Sequence, residues 1–204
     1  MIITEDDTFT AAAESINYRY DHPKLIYAFM RCLGIKRAIE IGCHIGYTTC
    51  WMAKAIQENG GGMLYCIDPF CWVEEPQEET WNQSIDSCGV RDTVTLIKAR
   101  SQEAEWPSDI ECVFVDGNHT YQVAKHDAEK ARDIGAKLIF LHDTVAWDGS
   151  VKHAEEVMTD PAWNGWDKMQ VNSECGITVL LKQSQKPESW GEDSGEQWDK
   201  PSES

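Results

Sequence analysis

Residues 37–58 read RAIEIGCHIGYTTCWMAKAIQE, a short apolar run, a glycine-bearing turn and a helix-length stretch that halts at Gly60-Gly61-Gly62. A run this apolar suits a strand buried on both faces. Three successive glycines cannot sustain a helix. The reading is therefore a strand over 37–43, a tight turn and a helix over 48–58. The same alternation continues downstream, with apolar runs at 63–68, 93–99, 110–116, 137–143 and 177–181 and a shorter one at 168–171. Strands spaced by longer amphipathic stretches predict a mostly parallel sheet covered by helices, an α/β three-layer sandwich of Rossmann-like type.

Helices fill the gaps. Over 121–134, Ala124, Ala128 and Ala131 recur at spacings of four and three, which puts them on one face toward the sheet. Upstream, His22-Pro23 opens a helix over 24–33 that ends at Gly34. Its apolar positions Leu25, Ile26, Phe29 and Met30 suit either a cover for the sheet or the interface of a homo-oligomer.

The 204 residues (23.1 kDa) suit one domain, expected over 1–182 with an N-terminal helical segment. Residues 183–204 are rich in Ser, Gly, Pro and acids and read as a disordered acidic tail carrying Trp190 and Trp198. The formal charge of −17, of which the tail supplies four, argues against a nucleic-acid partner held through its phosphates. No apolar run approaches a bilayer span, and the N-terminus MIITEDDTFT is acidic where an export signal is basic. A cytoplasmic protein without a membrane partner is the expectation. The eight cysteines form no C-x-x-C pair, which fits reduced, packed thiols better than a zinc ribbon or a disulfide framework.

Open parallel sheets bind ligands beyond the carboxyl ends of their strands. The first run ends Glu40-Ile41-Gly42-Cys43-His44-Ile45-Gly46, where Gly42 and Gly46 let backbone approach a ligand and the next helix offers N–H groups to an anion. The second ends in Asp68, a carboxylate able to accept from both hydroxyls of a ribose or, before Pro69, to form a turn. Together these outline a nucleoside-type pocket. The middle glycine of a pyrophosphate loop is absent, which favours a nucleoside with an amino-acid tail over a dinucleotide. Asp116 and Asp143 end runs expected to be neighbours, about 5 Å apart across the sheet. Two such carboxylates repel unless a divalent cation such as Mg²⁺ is shared between them.

With Val115-Asp116-Gly117-Asn118-His119-Thr120-Tyr121 and Leu141-His142-Asp143-Thr144 added to the Glu40–Gly46 turn and Asp68, residues 20–182 resemble class I S-adenosylmethionine-dependent methyltransferases. The likeness is nearest to the branch holding macrocin-type sugar O-methyltransferases and cephalosporin-hydroxylase-like proteins. It implies a seven-stranded sheet whose last strand, 177–181, runs antiparallel. It also implies that Glu40, Gly42 and Gly46 face the methionine end of the cofactor, that Thr48 or Thr49 holds its carboxylate, and that Asp68 binds its ribose. Ser101 and Gln102 would contact adenine, although Ser101 also reads as a helix N-cap. Asp116 and Asp143 match metal positions of that branch, with His142 standing where a glutamate ligand is usual. His142 then serves as a ligand to a softer ion, a donor to Asp116 or a packing residue.

His119 is the candidate general base, because imidazole as a side-chain type titrates near neutrality; the alternative is a residue that orders its loop. His126 falls on the polar face of its helix, and His22 and His153 show no partner in the sequence, so all three read as surface residues. Trp147, Trp163 and Trp166 lie in a long connection placed to wall an acceptor pocket or to pack. The function expected is metal-assisted O-methylation of a small hydroxylated, sugar-like or natural-product acceptor. A nucleoside-binding module without turnover and an NAD-dependent oxidoreductase remain the alternatives.

Overall fold

A computed structural model describes residues 7–16, 22–71, 76–172 and 174–184. Strands β1 (Arg37–Ile41), β2 (Met63–Ile67), β3 (Val94–Ile97), β4 (Cys112–Val115), β5 (Leu138–His142), β6 (Trp166–Val171) and β7 (Ile177–Lys182) form one sheet in the order β3-β2-β1-β4-β5-β7-β6. The first five pair in parallel, while β7 runs antiparallel to both β5 and β6. The expected mixed sheet is thus present, with β6 longer than its sequence suggested. The acidic tail beyond 184, with Trp190 and Trp198, lies outside the described residues.

Period-two alternation sorts the strand residues onto two faces. Ala38, Leu64, Cys66, Phe114 and Phe140 face one core, shared with α1 (Asp7–Ser15), α2 (His22–Cys32), α3 (Tyr47–Glu58) and α4 (Gln77–Ser87). Ile39, Ile41, Val113, Val115, Ile139 and Leu141 face the other, under α5 (Tyr121–Asp133) and α6 (Asp148–Thr159). On α5 the alanine stripe is buried as its spacing required, joined by a carboxylate, Asp127.

The apolar side of α2 covers the sheet. Ile26 and Met30 are fully buried, and Phe29 meets Phe140 edge-on at 5.9 Å between ring centroids. These side chains are therefore not a free interface. Trp163 and Trp166 take the second of the two readings open to them: they pack on each other in the second core, leaving Trp147 as the exposed one of the three. Among the described residues no helix is long and apolar enough to cross a membrane, and the eight cysteines are all free thiols.

Candidate active site

Strand order reverses between β1 and β4, and it is outside the carboxyl ends of such a pair that an open α/β sheet forms its crevice. There the chain ends of β1 and β4 come unusually close. Gly42 sits at φ +83, and a Cβ on it would lie 2.2 Å from the Asp116 carbonyl oxygen. Only glycine fits both the left-handed backbone and that approach. Gly46, at φ +91, ends the turn as the N-cap of α3, whose first turn has neither a capping side chain nor an acidic one. The helix start is therefore electropositive and open to an anion supplied from outside.

Asp68 holds this turn together. Its Oδ2 accepts from the backbone N–H groups of Cys43 (2.7 Å) and His44 (3.2 Å), and its Oδ1 accepts from Phe70 N–H (2.7 Å). A carboxylate has about four acceptor sites, so the brace leaves capacity for a ribose hydroxyl. His44 adopts φ 46, one of the non-glycine residues in the left-handed region.

Three sequence-derived assignments change here. Glu40 is fully buried on the α3 side of the sheet, where its Oε2 accepts from Thr49 Oγ1 at 2.6 Å. Trp81 Nε1 donates to the same hydroxyl at 3.1 Å. The Glu40–Thr49–Trp81 chain occupies the polar atoms of Thr49 and ties β1, α3 and α4 together, so neither Glu40 nor Thr49 presents its side chain to a cleft; Thr48 is only partly buried at the start of α3. Burial pushes the Glu40 carboxyl up to about 8, against hydrogen bonds from Thr49 and Cys66. Ser101 is likewise turned inward. Its hydroxyl donates to Asp127 Oδ2 at 2.9 Å, pinning the turn after β3 to α5; no helix begins there for it to cap, while Gln102 is exposed.

At the ends of β4 and β5 the structure does gather the predicted group. His142 Nδ1 lies 2.9 Å from Asp116 Oδ1 and 3.5 Å from Asp143 Oδ2, and His119 Nδ1 lies 3.3 Å from Asp143 Oδ2. Asp143 is at φ 57, so the chain turns sharply as β5 ends. Burial raises the Asp143 carboxyl, but the hydrogen bond and charge of His142, with the charge of His119, outweigh it and hold it below the usual carboxylate range. Burial disfavours charge on His142, yet the charge of Asp116 and hydrogen bonds to Asp116, Asp143 and Cys175 carry its imidazole well above the ordinary value. Trp147, 54% exposed, stacks on His119 with the rings 13° from parallel and 5.2 Å apart.

Two histidines read as surface residues are buried. His22 places Nδ1 3.0 Å from His142 Nε2. His153 lies on the buried face of α6, where burial pushes its imidazole down to about 4 and keeps it neutral. With Asp116, His119, His142 and Ser150 it lines a cavity of about 10 Å³, a volume that suits one water. His126 stays partly exposed, paired with Asp127 at 2.9 Å.

Sequence reasoning missed Gly149. A Cβ there would lie 2.2 Å from the His119 carbonyl oxygen and 2.5 Å from the Tyr121 nitrogen, so only glycine lets α6 seat against the His119 loop. Gly149→Ala is expected to cost about 1–3 kcal/mol by overpacking and to move the His119 ring resonances in an NMR spectrum. Unchanged unfolding and unchanged resonances would show that the contact constrains nothing.

A family model described as a methyltransferase domain matches residues 39–144. Among solved structures, the chain is similar to the Bacillus cereus O-methyltransferase in complex with SAH (15% identity, TM-score 0.66, covering 89% of this chain and 94% of that one). It is similar to TomG, the Streptomyces achromogenes O-methyltransferase involved in tomaymycin synthesis, in complex with SAM (19%, 0.63, 90% and 93%). It is also similar to the SAH-bound Podospora anserina methyltransferase PaMTH1 (16%, 0.66, 87% and 88%). At these identities the likeness is one of fold.

Proposed function

Because this chain belongs to the methyltransferase domain family, we propose that it transfers a methyl group from S-adenosylmethionine to a hydroxyl of a small acceptor, with His119 as general base. The observation that carries the reading is the 3.3 Å contact between His119 Nδ1 and Asp143 Oδ2 at the mouth of the site. With a carboxylate 3.3 Å from Nδ1, the tautomer protonated at that nitrogen is favoured, and the neutral imidazole keeps its lone pair on Nε2. Asp143 then fixes the tautomer and steadies the imidazolium that forms when Nε2 takes the hydroxyl proton. Trp147, stacked on His119, restricts the ring's rotation.

The cofactor, when bound, supplies a methyl group on a positively charged sulfur. The residues suit it in two respects: the uncapped start of α3 fits its carboxylate, and Asp68 beside the Gly42–Gly46 turn retains acceptor capacity for its ribose. Displacement at the methyl carbon loses charge on both partners, so alignment and exclusion of water are the protein's main tasks.

Magnesium fits the carboxylate pair less well. Asp116, His142 and Asp143 offer atoms within 4.8 Å of one another, but the imidazole nitrogen already lies between the two carboxylates. Magnesium prefers an octahedron of oxygens, which this nitrogen-bearing set does not offer.

The test is titration with S-adenosylhomocysteine, then transfer of labelled methyl to a panel of polyols and phenols. Micromolar binding with labelled product is the expected outcome. Binding without product on any acceptor would leave the alternative of a nucleoside-binding module, and preference for NAD over S-adenosylmethionine would replace the reading altogether.

A further inference from the structure

We propose that His22 Nδ1, His142 Nε2 and Cys175 Sγ form a binding site for a zinc-like divalent cation, set behind the candidate active site and sharing His142 with it. This inference does not depend on methyl transfer. It starts from three residues that the fold, not the sequence, brings together: His22 opens α2, His142 ends β5, and Cys175 lies in the turn between β6 and β7. His142 pairs with Ile177 in the antiparallel β5–β7 ladder, which carries Cys175 back to the end of β5. Val145 N–H donates to the Cys175 carbonyl at 3.0 Å, latching that turn to the loop after β5.

The spacing of the donor atoms is that of a coordination polyhedron. Zn–N bonds of about 2.05 Å and Zn–S bonds of about 2.3 Å at tetrahedral angles require N···N edges of roughly 3.3 Å and N···S edges of roughly 3.6 Å. Here the N···N distance is 3.0 Å and the two N···S distances are 3.4 and 3.9 Å. Without an ion the same three atoms join by hydrogen bonds centred on His142 Nε2, and a cation among them would replace those bonds.

On the other side of the His142 ring, Nδ1 lies 2.9 Å from Asp116 Oδ1 and 3.5 Å from Asp143 Oδ2, charge contacts not aligned as hydrogen bonds. Carboxylates beside a ligating histidine favour the proton on the nitrogen nearest them and raise ligand basicity. It is Nε2 that faces His22 and Cys175. The two carboxylates also create a negative potential that a cation at Nε2 relieves. Softness of the donors decides the ion: two imidazoles and a thiolate select zinc or a neighbour of it, not magnesium or calcium. Binding would release the Cys175 thiol proton to solvent. Three protein ligands leave a fourth position for water or a small ligand.

The experiment uses the full chain, stripped with chelator and titrated with Zn²⁺ alone and with Co²⁺ as a spectroscopic probe. One equivalent of zinc is expected, with a cobalt–thiolate charge-transfer band that disappears in Cys175→Ser. His22→Gln should weaken zinc by about 100-fold, and Asp116→Asn, which touches no proposed ligand atom, by about 10–100-fold. Should Cys175→Ser fail to fold, the unaltered chain still reports: zinc should slow alkylation of Cys175, mapped by peptide mass, while the exposed Cys32 and Cys71 react as before. Zinc below stoichiometry, or alkylation of Cys175 indifferent to zinc, would overturn the proposal. So would a thiolate band that survives Cys175→Ser, since it would place the ion among Glu40, Cys43 and Cys66 instead. Titrating the same preparations with S-adenosylhomocysteine reads the methyltransferase assignment separately.

Discussion

Replacing His119 with alanine is expected to lower kcat/KM for methyl transfer by about 10²–10⁴, the usual contribution of a positioned base, while S-adenosylhomocysteine binds as before. The reasoning runs through the tautomer. His119 Nδ1 meets Asp143 Oδ2 at 3.3 Å, so the proton-accepting nitrogen is Nε2, and removal of the ring removes the acceptor outright. Asp143→Asn leaves the ring in place but takes away the charge that steadies the imidazolium, and a loss of similar order is expected. A residue that merely ordered its loop could not be replaced by a diffusible molecule, whereas added imidazole should restore part of the His119→Ala rate if the ring is the proton acceptor. If imidazole restores nothing, the base lies elsewhere.

Strand positions were legible because buried parallel strands leave continuous apolar runs, and each predicted run contains or overlaps its strand. Three helices were not. In α4, QEETWNQSIDS buries only Trp81 and Ile85 as apolar anchors, and α6 opens with Gly149 and Ser150, poor helix formers that contacts with neighbouring elements hold in place. α1 precedes the stretch whose alternation could be followed, and it rests on α3 through Phe9, which meets Trp51 edge-on.

The site shows the same division. Asp116, His119, His142 and Asp143 could be found because they end strands or follow them closely, and position along a strand is written in the chain. Which face a side chain takes is harder to read at a strand's last turn. Ile39 and Ile41 go to one face of β1, so Glu40 must go to the other, toward Thr49 and away from a ligand at the strand end. His22 and Cys175 were invisible for a different reason. They stand 120 and 33 residues from His142, and no spacing rule links them until the β5–β7 ladder is known.

Glu40 itself carries the second large expectation, a stability that falls with rising pH in the wild type and not in Glu40→Gln. Its carboxyl is fully buried, and desolvation outweighs the hydrogen bonds from Thr49 and Cys66, so the folded chain keeps the proton up to about pH 8. The unfolded chain releases it near the ordinary glutamate value of about 4.3. Between those values the folded state binds more protons than the unfolded one, and linkage makes stability decrease by about 1.4 kcal/mol per pH unit. Below the window both states are protonated and the group contributes nothing. Above it the full penalty applies, on the order of 5 kcal/mol. Glutamine preserves the shape and the acceptor for Thr49 without a titrating proton. Relative to wild type, Glu40→Gln should therefore gain little at pH 5 and raise the urea midpoint by about 2.5 M at pH 9, taking a slope near 2 kcal/mol/M. The difference between the two proteins isolates this one group, because every other carboxylate titrates in both. Urea melts of the pair across pH 4–10 decide it: parallel profiles would mean that Glu40 is ionised in the folded protein and that a cation or water stabilises it.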